Sequence, residues 1–461
     1  MASTTGYIAL PEVKPQIQHI IKIPEQIEPV VPDECCIYKV PFHLLNLNVK
    51  AYTPQFISIG PLHSGNSELK QEKQKQRYFH AFWKRLSSKQ ALALMQYKIF
   101  LEDNRERIGN CYSKPELYKD EQFVDMILLD SVFIMELFLR KSNIGEPKND
   151  HMFTSSWVCK STQRDLLLLE NQLPMFVLEE LHRRVFPGDD CSKEKVSFIE
   201  LAFNYFEDYY PHKSSQKDEM IKNLKSCKHF TDLIRYTYLP TQVQVEGVNP
   251  SQYFTPCRVE YVPRTATKLD EAGVSFEKVQ GRSYLDIKFA KTPILSWFLC
   301  FGCLPFSTCF KARLQIPHLK VDQVTECVLR NLIALEQCHY SEQPFICNYV
   351  SLIDSLINTQ EDVELLVDKE TIVHELGSHT ELATVINDLC KHVMVNSNYY
   401  DKIIKELNDH YNSHWKRYMG MLRYVYFRDP WRVSSTIVGV AVFLFTTLNF
   451  LRVIGVFHPK Y

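Results

Sequence analysis

FVDMILLDSVFIMELFL, residues Phe123 to Leu139, is apolar almost all the way round a helical wheel, and its reading decides the fold. A helix with no polar face has no side to offer water, so it belongs at the centre of a body built from other helices. Its acids, Asp125, Asp130 and Glu136, then need partners wherever they are enclosed. At 461 residues the chain can form such a core, as one large domain or as two to three ordinary ones. With 45% apolar and 23% charged residues it matches a chain that folds mostly in water, not a multispan membrane protein.

Moving outward, Glu68 to Ile108 carries Tyr78, Phe79, Phe82, Trp83 and Leu86 at helical spacing among Lys, Glu, Gln and Arg, which predicts at least one long amphipathic helix. Asp165 to Phe186 repeats the apolar style of the central stretch, with Pro174 either opening a new helix or kinking an earlier one. Upstream, Pro11, Pro15, Pro24 and Pro32 predict a flexible tail over 1–32, after which Ile37 to Val40 and Pro41 give an extended start to the body. Downstream, Pro240, Pro250, Pro256 and Pro263 mark 239–268 as a linker between a helical first half, 33–238, and a second half, 269–430.

The second half opens with Val274 to Val279 and Tyr284 to Phe289 around Gln280-Gly281-Arg282-Ser283, a pattern that predicts an antiparallel hairpin over about 274–289. Leu314 and Ile316 could add a third strand within 313–321. Helices follow at Asp322 to Cys338, Ile346 to Leu356, Thr380 to Val393 and Tyr399 to Phe427, the last with Tyr400, Ile404, Leu407, Tyr411 and Trp415 along one stripe. The expected fold class is mainly α: a multi-helix body with a small antiparallel β element and a C-terminal transmembrane helix.

That last helix rests on Val433 to Leu451, 19 residues without a charge, of which 11 are Val, Ile, Leu or Phe. At about 1.5 Å per residue they cover the hydrocarbon thickness of a bilayer. The apolar gain, roughly −3 to −7 kcal/mol, must outweigh Ser434, Ser435, Thr436, Thr446, Thr447 and Asn449. Trp431 and Arg432 stand at one interface and Arg452 at the other, so the anchor extends over 431–457 and reaches Phe457. Lys416, Arg417, Arg423, Arg428 and Arg432 precede it while Arg452 and Lys460 follow, which puts the bulk of the chain in the cytosol by the positive-inside rule. A buried core helix is the competing reading. The expected partner is the lipid bilayer, and the arrangement is single-pass and tail-anchored.

Other chemistry is sparse. The 53 basic and 54 acidic residues nearly cancel, so nucleic acid is not an expected partner. Fourteen cysteines, scattered behind a start with no signal-peptide pattern, read as reduced thiols, and the absence of an Asn-x-Ser/Thr sequon agrees. His374-Glu375-Leu376-Gly377-Ser378-His379 resembles a zinc-protease motif, but five residues turn the two histidines about 140° apart on a helix. Cys300 and Cys303 with Cys309 lack the second ligand pair of a structural zinc site. Neither a phosphate-binding glycine loop nor a G-x-S-x-G elbow occurs. No catalytic, cofactor or metal residue is therefore assigned and no cofactor is expected. Asp130, Asp165 and Glu170 sit in apolar contexts, and together with His63 they would have to converge on one open pocket to act as an acid–base site.

Several stretches converge on one family. Ile37-Tyr38-Lys39-Val40-Pro41, Ala51-Tyr52-Thr53-Pro54, Ser58-Ile59-Gly60-Pro61, Met126 to Ser131, Asp165 to Pro174 (DLLLLENQLP), Ala266 to Gly273, Arg330 to Cys338 and Tyr411 to Trp431 are similar in order and content to the plant family called domain of unknown function 247. The resemblance spans about residues 33 to 450. It implies plant origin, a largely helical domain and a C-terminal membrane segment, and it implies no enzyme activity. Some members are associated with self-incompatibility in grasses. The chain departs from the family in reading Pro61-Leu62-His63-Ser64-Gly65 where Pro-Tyr-His-His-Gly is usual, and in an extra apolar stretch, Pro293 to Phe310. The expected function is recognition or signalling at a membrane without catalysis; a membrane-bound hydrolase or transferase using buried carboxylates is the alternative, and a structural scaffold is a third reading.

Overall fold

A computed structural model describes residues 32–65, 72–114, 119, 121–142, 150–186, 196–210, 221, 224–240, 242–243, 254–256, 264–291, 312–413, 426 and 430–453. The tail over 1–31, most of the linker, the Cys300–Cys309 cluster, the apolar stretch at 293–310 and Phe457 lie outside these residues. The longer helices of the first half are α1 (Glu72–Arg85), α2 (Ser88–Asp103), α3 (Phe123–Lys141), α4 (Ser156–Asp165), α5 (Met175–Val185), α6 (Phe198–Tyr205) and α7 (Phe230–Tyr238). The Glu68 to Ile108 stretch is thus broken after Arg85, where Ser87 and Gln90 form a capping box that restarts the chain as α2.

α3 is the central helix that its sequence predicts, flanked by α1, α2, α5 and α6. Its acids are handled in two ways. Asp125 stays exposed beside Lys98 at 2.8 Å. Asp130 and Glu136 are buried and meet cations from α1: Lys75 lies 2.6 Å from Asp130, and Arg85 lies 2.8 Å from Glu136. Arg140, one turn on, pairs with Glu136 and with Asp150, and Tyr78 donates to the same Asp150. Both buried acids of α3 have an opposite charge within reach, as a low-dielectric interior favours.

The second half contains β1 (Val274–Val279), β2 (Lys288–Ala290), β3 (Ala312–Pro317), β4 (Leu319–Val321), α8 (Gln323–His339), α9 (Phe345–Leu356), α10 (Gln360–Asp368), β5 (Ile372–His374), α11 (His379–Cys390), α12 (Asp401–Asn412) and α13 (Pro430–Val453). The predicted antiparallel hairpin is not formed. β3 lies between β1 and β2, parallel to the first and antiparallel to the second. The segment after the turn is held by other partners: the Ser283 side-chain Oγ donates to the Tyr238 carbonyl, and Tyr400 OH donates to the Leu285 carbonyl at 2.8 Å. The anticipated third strand divides at His318, where β4 leaves to pair in parallel with β5.

Buried side chains from Cys36 to Leu407 form one hydrophobic core that draws on both halves. A smaller cluster joins Val40, Leu44 and Tyr52 to Leu168, Leu169 and Leu335. α12 begins where the sequence places it, with Tyr400, Ile404 and Leu407 buried, but the described helix ends at Asn412 with an extended Ser413. Trp415 and the rest of its predicted length, apart from Tyr426, fall outside the described residues.

Candidate functional site

The segment between α4 and α5, Leu166 to Pro174, is buried although it is neither helix nor strand. An irregular backbone survives burial only when its polar groups are paired, and here side chains do the pairing. Gln172 Nε2 donates to the carbonyls of Leu166 and Leu168, while its Oε1 accepts from Phe230 N–H. Asn171 donates to the Ile57 and Asp165 carbonyls and accepts from Ile59 N–H at 2.6 Å. Asn331 on α8 accepts from Leu169 N–H, and Thr231 on α7 donates to the Leu167 carbonyl. Pro174 occupies the cap just before α5, so Asp165 to Phe186 is two helix ends around a knot and not one kinked helix.

Asp130, Asp165 and Glu170 all face this knot and the segment 40–63 that wraps it. Asp165 accepts three consecutive amides, from Gln55, Phe56 and Ile57, with the Phe56 bond at 2.6 Å, and pairs with Arg164 at 2.6 Å. Glu170 accepts Val40 N–H at 2.7 Å and meets His63 Nε2 at 3.2 Å. Asp130 accepts Gly60 N–H at 2.8 Å. Gly60 holds a positive φ of 71°, and a Cβ there would come within 2.6 Å of the Gln172 carbonyl oxygen. Asp130, Asp165, Glu170 and His63 are therefore brought to one region, but as acceptors and ion-pair partners that fix the backbone. Burial pushes the Asp165 carboxyl up, and the Ile57 and Phe56 amides with Arg164 draw it back.

His229, which sequence reasoning missed, completes the arrangement. It is fully enclosed at the start of α7, with Nε2 3.0 Å from the Cys36 carbonyl and Nδ1 accepting from Asp232 N–H at 3.3 Å. Those contacts require a neutral ring with its proton on Nε2. Burial pulls its pKa down to about 4 from 6.5. The sign follows from linkage: the neutral ring is present in full above pH 6.5, and stability is lost as pH falls from there towards 4, by about 3 kcal/mol in total. Between pH 7 and 5 the wild type is expected to lose about 2 kcal/mol more stability than His229→Gln in urea unfolding. Equal slopes would contradict the assignment.

His374 and His379 stand at the end of β5 and the start of α11, with Ser378 capping the helix. Because a turn separates them, their rings approach to 5.2 Å instead of pointing apart as they would on one helix. Glu375 pairs with Lys320. Among the described residues no group of three metal-ligating side chains assembles. The nine cysteines described are free thiols, most of them buried.

α13 differs from the other described helices. Ser434–Val453, 20 residues, is long and apolar enough to cross a membrane, and none of it is buried against the body. Of the anchor residues read from sequence, Trp431, Arg432 and Arg452 are exposed, Leu451 is half-buried, and Val433 lies within the helix. The hydroxyls that weigh against insertion are satisfied inside the helix: Ser434 and Ser435 donate to the carbonyls of Trp431 and Arg432, Thr436 to Arg432, Thr446 to Val442, and Thr447 to Phe443. Such bonds remove much of the cost of carrying a hydroxyl into hydrocarbon.

Fold and site together define a mainly helical body organised on a buried polar knot, with one helix among the described residues long and apolar enough to cross a membrane. The chain belongs to the DUF247 family, described as plant protein of unknown function, whose family model matches residues 37–445. It is 29% identical over 450 residues to the UPF0481 protein At3g47200 of Arabidopsis thaliana, covering 92% of this chain and 87% of that one. The putative UPF0481 protein At3g02645 of the same plant is 21% identical over 493 residues, covering 91% and 90%. No solved structure matches the chain.

Proposed function

We propose that the chain is a non-enzymatic recognition or signalling protein whose helix α13 spans a bilayer and holds the helical body at its cytosolic face. The observation that carries this reading is the 20-residue apolar helix of which no residue is buried in the body. In water its row of exposed Val, Leu and Phe side chains would be an unfavourable surface, whereas in lipid it is the expected one. Five basic residues from Lys416 to Arg432 precede it and two, Arg452 and Lys460, follow, which supports the cytosolic orientation. The knot supports the non-enzymatic part, since Asp130, Asp165 and Glu170 already bind main-chain amides. A membrane-bound hydrolase or transferase is favoured only by the His63–Glu170 pair at the edge of the knot.

Protease added outside sealed microsomes is expected to destroy an N-terminal tag on the full chain and to leave a tag placed after Tyr461 protected. Protection of the N-terminal tag would place the body on the opposite side and remove the basis for a cytosolic role.

A further inference from the structure

Cys36 and Cys111 stand side by side where the entry segment meets the end of the short helix Arg105–Asn110. Ile37 and Tyr112 form a parallel bridge, and the amides of Cys36 and Ile37 both donate to the Cys111 carbonyl, at 3.0 and 2.8 Å. That register sets Cys36 opposite Cys111 on neighbouring backbones, about 5 Å apart, which is within the span that a disulfide bridges. The side chains meet as well: the two thiols are hydrogen-bonded to each other, and Cys111 Sγ also donates to the Arg107 carbonyl at 3.4 Å. The neighbouring Cys35 thiol takes Tyr38 as its hydrogen-bond partner. Cys36 and Cys111 are free thiols, 4% and 5% exposed. They differ in acidity. The bond from Cys36 holds the Cys111 thiol below its ordinary value, with Arg107 and Lys228 helping against burial, while the same bond and burial push Cys36 up.

We propose that Cys36 and Cys111 are a redox pair, closed to a disulfide by hydrogen peroxide and reopened by a dithiol reductant. The Cys111 thiolate attacks one peroxide oxygen and the O–O bond breaks. Cys111 becomes a sulfenic acid, and the other oxygen leaves as hydroxide and takes up a proton to form water. Cys36 then gives up its proton and attacks the Cys111 sulfur; the S–O bond breaks and a second water leaves. Two thiols have lost two electrons and the peroxide has gained them. A dithiol reductant returns both thiols by exchange and is itself left as a disulfide. Near-complete enclosure admits only a small oxidant, and it holds the second thiol in place before the first is oxidised, so the sulfenic acid is captured before further oxidation. The closed bond fastens the entry segment, whose Cys36 carbonyl meets His229, to the helix end at Cys111 and encloses α1 and α2 in a covalent loop. Loop closure restricts the unfolded chain, so the oxidised body resists denaturant further than the reduced one.

The full-length chain, solubilised in mild detergent and treated with hydrogen peroxide, tests the pair. Peptide mapping should find the Cys36 and Cys111 peptides joined, about 2 Da lighter than their sum, and dithiothreitol should separate them. The joined chain should also unfold at a higher urea concentration than the reduced one. Cys36→Ser should lose the link and leave Cys111 as a sulfenic acid that dimedone labels; Cys111→Ser should lose both the link and the label. A link from Cys36 to Cys35 or to any other cysteine, or Cys111 carried to the sulfinic acid beside a still-free Cys36, would overturn the proposal. So would a folded chain in which both thiols stay reduced while the same peroxide links them in urea, an outcome that leaves the pair as a packing contact. The map is read on the wild type, so a variant that fails to fold does not remove the test.

Discussion

Asp165→Ala is expected to destabilise the body by about 4 kcal/mol, measured by urea unfolding of the detergent-solubilised chain. The carboxylate is fully buried and its Oδ2 accepts three successive amides, from Gln55, Phe56 and Ile57. Truncation strands the Phe56 and Ile57 donors away from water and leaves Arg164 without its anion. Asp165→Asn keeps one oxygen in place for the amides and loses the ion pair, so about half the effect is expected. A carboxylate kept for chemistry behaves differently: its removal leaves stability unchanged or raises it. An alanine variant as stable as the wild type would therefore favour the enzymatic reading.

Arg235→Ala should cost a similar amount, about 3–5 kcal/mol. Arg235 on α7 reaches across to Glu336 on α8 at 2.9 Å, and the guanidinium lies 3.9 Å from the Tyr340 ring centre. Glu336 is fully buried and also accepts Cys347 N–H at 2.9 Å. Burial pushes its carboxyl up and Arg235 holds it down, so removing the cation leaves a charge with no solvent to take its place. The pair joins a helix before residue 239 to one after residue 268, and the variant should unfold both halves in a single transition. Two separate transitions in the wild type would contradict a shared core.

Periodicity made the helices legible. Phe123 to Leu139 announces a central helix through its lack of a polar face, and the need for partners at Asp130 and Glu136 follows from the same reading. What sequence could not show is where those partners come from: Lys75 and Arg85 belong to a helix some 50 residues away, and no local pattern encodes that contact. Leu166 to Leu169 look helical because a leucine run is compatible with any buried conformation. Asn171 and Gln172, whose side chains take the place of backbone partners, are what make the stretch a knot; the Asn-Gln pair ahead of Pro174 was the available cue. The hairpin failed for a related reason. Local alternation found Val274–Val279, but Tyr284 to Ile287 turn instead of pairing and only Lys288–Ala290 forms a strand; nor can alternation reveal that Ala312–Pro317, distant in sequence, enters between the two. The helix long and apolar enough to cross a membrane needed least inference, because length and composition alone define that property.

The most direct test of the account is alkaline-carbonate extraction of membranes carrying the tagged chain, with and without residues 430–461. The account predicts that the full chain stays in the membrane pellet and that the truncated chain, with its body still folded, moves to the supernatant. Release of the full chain by carbonate, or retention of the truncated one, would contradict it.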